Sequence, residues 1–193
     1  MPPALAARRL ALKATLAATI GVTLIGLALP VRAGLNIGDA APAFAVDAAI
    51  GGEPFRFDLA QALKKGPVVL YFYPKAFTQG CTLEANAFAE AMDQYHALGA
   101  TVIGVSGDDI ATLKKFSVAE CRGKFPVAAD ADRSVMTAYK AVMPQREDFA
   151  KRISYVITPD SKIAFAYESG SFEEHVPRTL AALKSLEGGT RKP

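Results

Sequence analysis

Cys81 lies three residues after Thr78 and seven after Pro74, in the run Tyr71-Phe72-Tyr73-Pro74-Lys75-Ala76-Phe77-Thr78-Gln79-Gly80-Cys81. An apolar stretch of strand type ends at the proline, a short polar loop follows, and the cysteine falls where a helix is expected to begin. A thiol in that place meets free backbone N–H groups and the positive end of the helix dipole. Both favour the thiolate, the form of cysteine that reacts. Thr78 stands three residues before Cys81 and Glu84 three after it, so no Cys-x-x-Cys dithiol exists here. Local dithiol exchange is disfavoured, and single-thiol chemistry is favoured.

The elements that must position this thiol read as alternating strands and helices. Phe44-Ala45-Val46 and Pro54-Phe55-Arg56-Phe57 flank Gly51-Gly52 as a hairpin, and Asp58 caps a short helix over Leu59–Leu63. Val68–Tyr73 is a continuous apolar run, expected to be buried on both faces. The next helix repeats Leu83, Ala87, Ala91 and Tyr95 every four residues, joined by Phe88, Met92 and Leu98, and stops at Gly99. Thr101–Ser106 is the following strand, and Asp108 or Asp109 caps a helix reaching to about Glu120. Phe125–Ala128 is extended, and Ser134–Tyr139 is a short helix. Arg152–Thr158 and Lys162–Tyr167 pair about the turn Pro159-Asp160-Ser161, and Glu173–Leu186 closes the chain before a frayed tail over 188–193. The pattern is α/β, with a mixed central sheet flanked by helices and an N-terminal β-hairpin. Right-handed crossovers bring the start of the first long helix to the carboxyl edge of the sheet, where such folds keep their sites.

The 193 residues are 51% hydrophobic, enough for one domain with a real core. Ahead of it, Arg8, Arg9 and Lys13 precede an almost wholly apolar stretch from Ala14 to Leu29, and Val31 and Ala33 fit the small-x-small cleavage pattern. Residues 1–33 read as a secretory signal cut after Ala33, with 34–193 as the mature domain in the periplasm or outside the cell. An uncleaved membrane anchor is the alternative, but the apolar stretch is shorter than the roughly 20 residues a span prefers. The leader carries four of the 22 basic side chains and none of the 19 acidic ones, which leaves 18 against 19 in the remainder. Nothing basic is left to recommend nucleic acid as a partner.

Pro74, Thr78 and Cys81 match the Pro-x-x-x-Thr-x-x-Cys signature of peroxiredoxins, and Arg152-Ile153-Ser154-Tyr155-Val156-Ile157 resembles the strand that bears that family's second-site arginine. The likeness covers residues 36–186 and is nearest to the bacterioferritin comigratory protein, or peroxiredoxin Q, branch. It implies a thioredoxin-like fold and an antioxidant, thiol-dependent peroxidase that reduces hydrogen peroxide and organic hydroperoxides. It also implies an external reductant of the thioredoxin or glutaredoxin kind, with no metal, haem or flavin. A thioredoxin-fold binding or disulfide-handling protein without peroxidase activity is the alternative. The monomer or a weak homodimer is the expected state.

Peroxide reduction needs a thiolate that attacks one oxygen while charge grows on the other. Cys81 is the expected peroxidatic residue, and Arg152 the guanidinium that holds the thiolate and polarises the peroxide. Thr78 is expected to place its hydroxyl beside the sulfur, and Pro74 to shield it and fix the loop. Many members of the branch carry a resolving cysteine five residues after the peroxidatic one, where this chain has Asn86. Cys121, the only other cysteine, is therefore either a resolving residue, an inert half-buried thiol, or one half of a structural disulfide with Cys81. The two histidines, His96 and His175, are placed away from Cys81, and such a distant pair offers no zinc site.

Overall fold

A computed structural model describes residues 34–190. The leader expected over 1–33 lies outside the described residues.

The elements in chain order are β1 (Ala45–Ile50), β2 (Glu53–Asp58), α1 (Leu59–Leu63), β3 (Val68–Phe72), α2 (Gln79–Ala97), β4 (Thr101–Ser106), α3 (Ile110–Ala119), β5 (Val127–Ala129), α4 (Ser134–Ala138), β6 (Val142–Met143), β7 (Arg146–Ala150), β8 (Ile153–Ile157), β9 (Ile163–Glu168) and α5 (His175–Thr190). Seven strands form one sheet in the order β2-β1-β5-β4-β3-β8-β9, and β6 pairs with β7 alone. β3 lies parallel to β4 and antiparallel to β8, so the sheet is mixed as the alternation of elements predicts.

Period-two alternation divides the core. Along β3, Val68, Leu70 and Phe72 join the apolar cluster on one face, while Val69 and Tyr71, with Tyr73 beyond the strand, join the cluster on the other. α1 and α4 supply the first cluster. α2, α3 and α5 supply the second through Phe88, Met92, Tyr95, Phe116, Leu180 and Leu183. Phe88 stacks on Tyr71 with centroids 4.3 Å apart, which locks α2 onto β3 just behind the site.

Several boundaries differ from the sequence reading, each for a physical reason. The buried residues of α2 are Cys81, Glu84, Ala85, Phe88, Ala89, Ala91, Met92 and Tyr95; Phe88, Ala91, Met92 and Tyr95 are buried as read, while Leu83 is exposed. The four-residue spacing from Leu83 slips off a helix of 3.6 residues per turn, while the true stripe keeps the helical period. That phase turns Cys81 and Glu84 inward together. Asp109 is the cap of α3, accepting from the Thr112 N–H at 2.7 Å, and Asp108 is free for another task. The β6–β7 hairpin was not legible, because Arg146-Glu147-Asp148 is a poor strand sequence. α5 begins at His175 and runs to Thr190, past the point where fraying is expected.

Candidate active site

β3 ends at Phe72, and the chain turns through Pro74–Thr78 before α2 begins. Thr78 is the N-cap residue, with extended backbone (φ −83, ψ 148), which makes Cys81 the third residue of α2. The loop is held from across the sheet edge. Asp108, just past β4, accepts from the Ala76 N–H at 2.7 Å and from the Ser106 hydroxyl at 2.8 Å. Phe77 sits in the left-handed region (φ 61) with its ring edge-on to Phe116 of α3 at 5.2 Å. A non-glycine residue adopts that backbone only where its surroundings enforce it.

Arg152, just before β8, reaches across to α2. Its Nη2 donates to Cys81 Sγ at 3.4 Å, its Nη1 pairs with Glu84 Oε2, and its Nε donates to the Gly170 carbonyl at 3.2 Å. Burial works against the charge of Arg152, but the Glu84 carboxylate and the Cys81 sulfur outweigh it and hold the guanidinium firmly protonated. Gly80 makes this approach feasible: a Cβ there would stand 3.3 Å from Arg152 Nη2. Cys81 itself is 2% exposed, so the sulfur lies at the foot of the loop rather than on open surface.

Two titratable groups at the site were not foreseen. Glu84 entered the sequence reading only as the residue that replaces a second cysteine, yet it is fully buried and is Arg152's counter-ion. His175 was placed away from Cys81, and its link to the site runs through Glu84 rather than the sulfur. Its Nδ1 lies 3.9 Å from Oε1 of Glu84, the residue one turn after Cys81 on α2. The signal that could have found Glu84 is its i+3 spacing from Cys81, which puts both on one helix face.

Thr78 is tied into the loop by its own side chain. Its hydroxyl donates to the Lys75 carbonyl at 2.9 Å and so spends its single proton within the loop. Pro74 is half-buried at the start of the loop, as a residue that ends a strand should be.

Cys121 is buried in the same apolar cluster as Cys81, and both thiols are free. Burial, with the Glu120 carboxylate adding to it, pushes the Cys121 thiol well above its ordinary range. The fixed Cys81–Cys121 disulfide weighed from sequence is therefore not formed in this structure. Asn86 brackets Cys121: its amide donates to Glu120 at 3.0 Å and accepts from Arg122 Nη2 at 2.6 Å, one residue on either side of the thiol.

The two buried titratable groups beside Arg152 carry stability of opposite pH dependence. Burial, aided by the nearby Arg152 charge, lowers His175 from 6.5 to about 4. Its contribution is complete above the unfolded value and is lost as pH falls from 6.5 through 4. Burial raises Glu84 from 4.5 to about 8, although Arg152 pulls it back. Its contribution is complete below 4.5 and is lost as pH rises toward 8. Between 4.5 and 6.5 the two oppose each other. Glu84→Gln removes one of them, so its thermal midpoint should climb with pH over that window more steeply than the parent's. Equal slopes in a melting series would contradict the assignment.

Comparison with known proteins identifies the family. The AhpC/TSA family model matches residues 37–166. Peroxiredoxin Bcp of Escherichia coli K12 is 32% identical over 155 residues, covering 78% of this chain and 96% of its own length. The chloroplastic peroxiredoxin Q of Triticum aestivum is 34% identical over 124 residues, covering 64% of this chain and 57% of its own. Among solved structures, peroxidoxin BcpB of Mycobacterium tuberculosis superimposes with a TM-score of 0.68 at 31% identity, over 77% of this chain and 96% of its own.

Proposed function

The chain belongs to the AhpC/TSA family as a thiol-dependent peroxidase of the peroxiredoxin Q and Bcp kind, and we propose that this chemistry runs on Cys81 with Arg152 as its electrostatic partner. The carrying observation is the guanidinium N–H at 3.4 Å from a sulfur in the first turn of α2. The Cys81 thiolate attacks one oxygen of the peroxide and the O–O bond breaks. Sulfur becomes a sulfenic acid, and the other oxygen leaves as water or alcohol after taking a proton. The charge that grows on the leaving oxygen faces the same fixed guanidinium, which needs no reorganisation to meet it. Thr78 and Pro74 shape the loop around that reaction.

Cys121 completes the cycle in this reading. Its sulfur attacks the sulfenic acid, an internal disulfide forms and water leaves. A protonated thiol is a poor nucleophile, so burial of Cys121 requires local opening first. The first turn of α2 is the cheaper part to open, because helix ends fray most easily. One equivalent of peroxide followed by intact mass and peptide mapping tests both assignments. Oxygen first on Cys81, then a net loss of two hydrogens joining Cys81 and Cys121, is expected. A product that only gains oxygen removes Cys121 from the cycle, and oxygen landing first on Cys121 removes Cys81.

An external thioredoxin- or glutaredoxin-like thiol then returns the disulfide to thiols, and the protein works as a monomer or weak homodimer. Supplying each reductant separately with peroxide and following peroxide loss identifies the donor; light scattering across concentrations gives the assembly state. The sequence of residues 1–33 supports export with cleavage after Ala33. N-terminal sequencing of protein recovered from the periplasm should begin at Gly34, and a start at Met1 would contradict cleavage.

A further inference from the structure

We propose that His175 is a positioning residue for Arg152: its neutral ring ties the start of α5 to β8 and to Ser169, and so fixes the frame that holds the guanidinium against Cys81. The proposal goes beyond the reading above and rests on Arg152 being the partner of a reactive Cys81.

His175 is fully buried, and both ring nitrogens are used. Nε2 lies 3.2 Å from the Ser169 carbonyl. A carbonyl can only accept, so Nε2 carries the proton. Burial lowers the ring's pKa to about 4, so near neutral pH Nδ1 is unprotonated and accepts from the Ser154 hydroxyl 2.8 Å away. The backbone of His175 is anchored as well. Its carbonyl accepts from Thr179 Oγ1 at 2.7 Å, and that hydroxyl also meets Tyr95 of α2 at 2.7 Å.

The connection to Arg152 runs through short links. Ser169, gripped by Nε2, donates its N–H to the Arg152 carbonyl at 3.2 Å, and the next residue, Gly170, offers the carbonyl that receives Arg152 Nε. On the other side Glu84 Oε1 has no hydrogen-bond partner among the described residues, and Nδ1 of His175 stands 3.9 Å from it. The ring is thus the wall that sets where Glu84, and with it Arg152 Nη1, can lie. The groups facing His175 are Glu84 from α2, Arg152 and Ser154 on the β8 side, and Tyr167 of β9, whose ring meets it edge-on at 4.9 Å. A ring that merely filled space would not need polar partners at both nitrogens; an apolar residue would serve as well.

The test uses the reduced protein with three substitutions: His175→Phe, His175→Gln and Ser154→Ala. Two quantities are read at Cys81 by peptide mass: the rate of oxidation by hydrogen peroxide, and the pH midpoint of alkylation by iodoacetamide. His175→Phe should slow peroxide oxidation by ~10-fold or more and move the alkylation midpoint upward by about one pH unit, because a displaced guanidinium favours the thiolate less. His175→Gln, whose amide can still donate to Ser169, should recover most of both. A slower peroxide reaction with an unmoved midpoint marks a purely structural role and overturns the proposal. If His175→Phe does not fold, Ser154→Ala decides, since it removes only the hydroxyl at Nδ1: its midpoint should also rise, and an unchanged one overturns the proposal. An unreactive wild-type Cys81 overturns this role together with the Cys81 assignment, whereas unmoved variants beside a reactive wild type overturn the role of His175 alone.

Discussion

Peroxide consumption by the reduced protein is expected to fall by at least about 10³-fold in Cys81→Ser, to the level of buffer alone. A serine hydroxyl is not oxidised by peroxide, so the question is whether another group can take over. The chain has one other cysteine, and it is a poor substitute. Cys121 is buried, and its thiol is pushed far above the ordinary range, so almost none of it is ionised near neutral pH. No guanidinium N–H is within hydrogen-bond reach of it among the described contacts, since Arg122 is spent on Asn86 and Glu90. Cys121→Ser should behave in the opposite way. The first oxidation should proceed at the parent rate, and excess peroxide should then carry Cys81 on to sulfinic acid, because no internal thiol intercepts the sulfenic acid. Following peroxide loss and the mass of each product separates the two variants. Equal peroxide loss from Cys81→Ser and the parent would reject Cys81 as the reactive group.

What sequence could disclose was set by how local each feature is. The placement of Cys81 at a helix start depends on a strand, a proline and a short loop, all within the single run from Val68 to Cys81, and it was legible. The hairpin about Gly51-Gly52 was legible for the same reason, because two left-handed glycines are strong local signals (φ 57 and φ 87). Arg152 needed more, since 71 residues separate it from Cys81; only the likeness of its strand to a known pattern pointed to it. His175 and Glu84 had neither help. A buried charge is costly unless paired, so a glutamate in a helix is ordinarily expected on the solvent side. Its partner sits at the mouth of another strand, where period and propensity give no hint. The cap of α3 was left open between Asp108 and Asp109 because one-residue phase decides between a cap and a loop anchor, and adjacent aspartates look alike in sequence. Thr78 shows a different limit: its residue type suggested a hydroxyl near sulfur, and nothing in the sequence signals that this hydroxyl also donates to the Lys75 carbonyl within the loop.

Arg152→Met should lower the rate of Cys81 oxidation by roughly 10²- to 10³-fold and also destabilise the fold, and these two losses have separable causes. The rate falls because the N–H at Cys81 Sγ and the charge meeting the leaving oxygen are gone. Stability falls most above about pH 8, where Glu84 is ionised and is left buried without its counter-ion; breaking such a pair costs on the order of 3–5 kcal/mol. The carboxyl has an escape, since it can take up a proton. Burial already raises it to about 8 with Arg152 present, and the arginine is what pulls it down. Without Arg152 it should be neutral across physiological pH, so the destabilisation should be smaller at pH 6 than at pH 9. Sign and size can be read from urea unfolding at the two values. Adding Glu84→Gln to Arg152→Met removes the orphaned acid, and the double variant should regain most of the lost stability while peroxide oxidation stays slow. Such non-additivity in stability, without any in rate, is what an ion pair with one working partner produces. Recovery of the peroxide rate in the double variant would mean that Arg152 serves only to neutralise Glu84, and the sulfur would need another source of its reactivity.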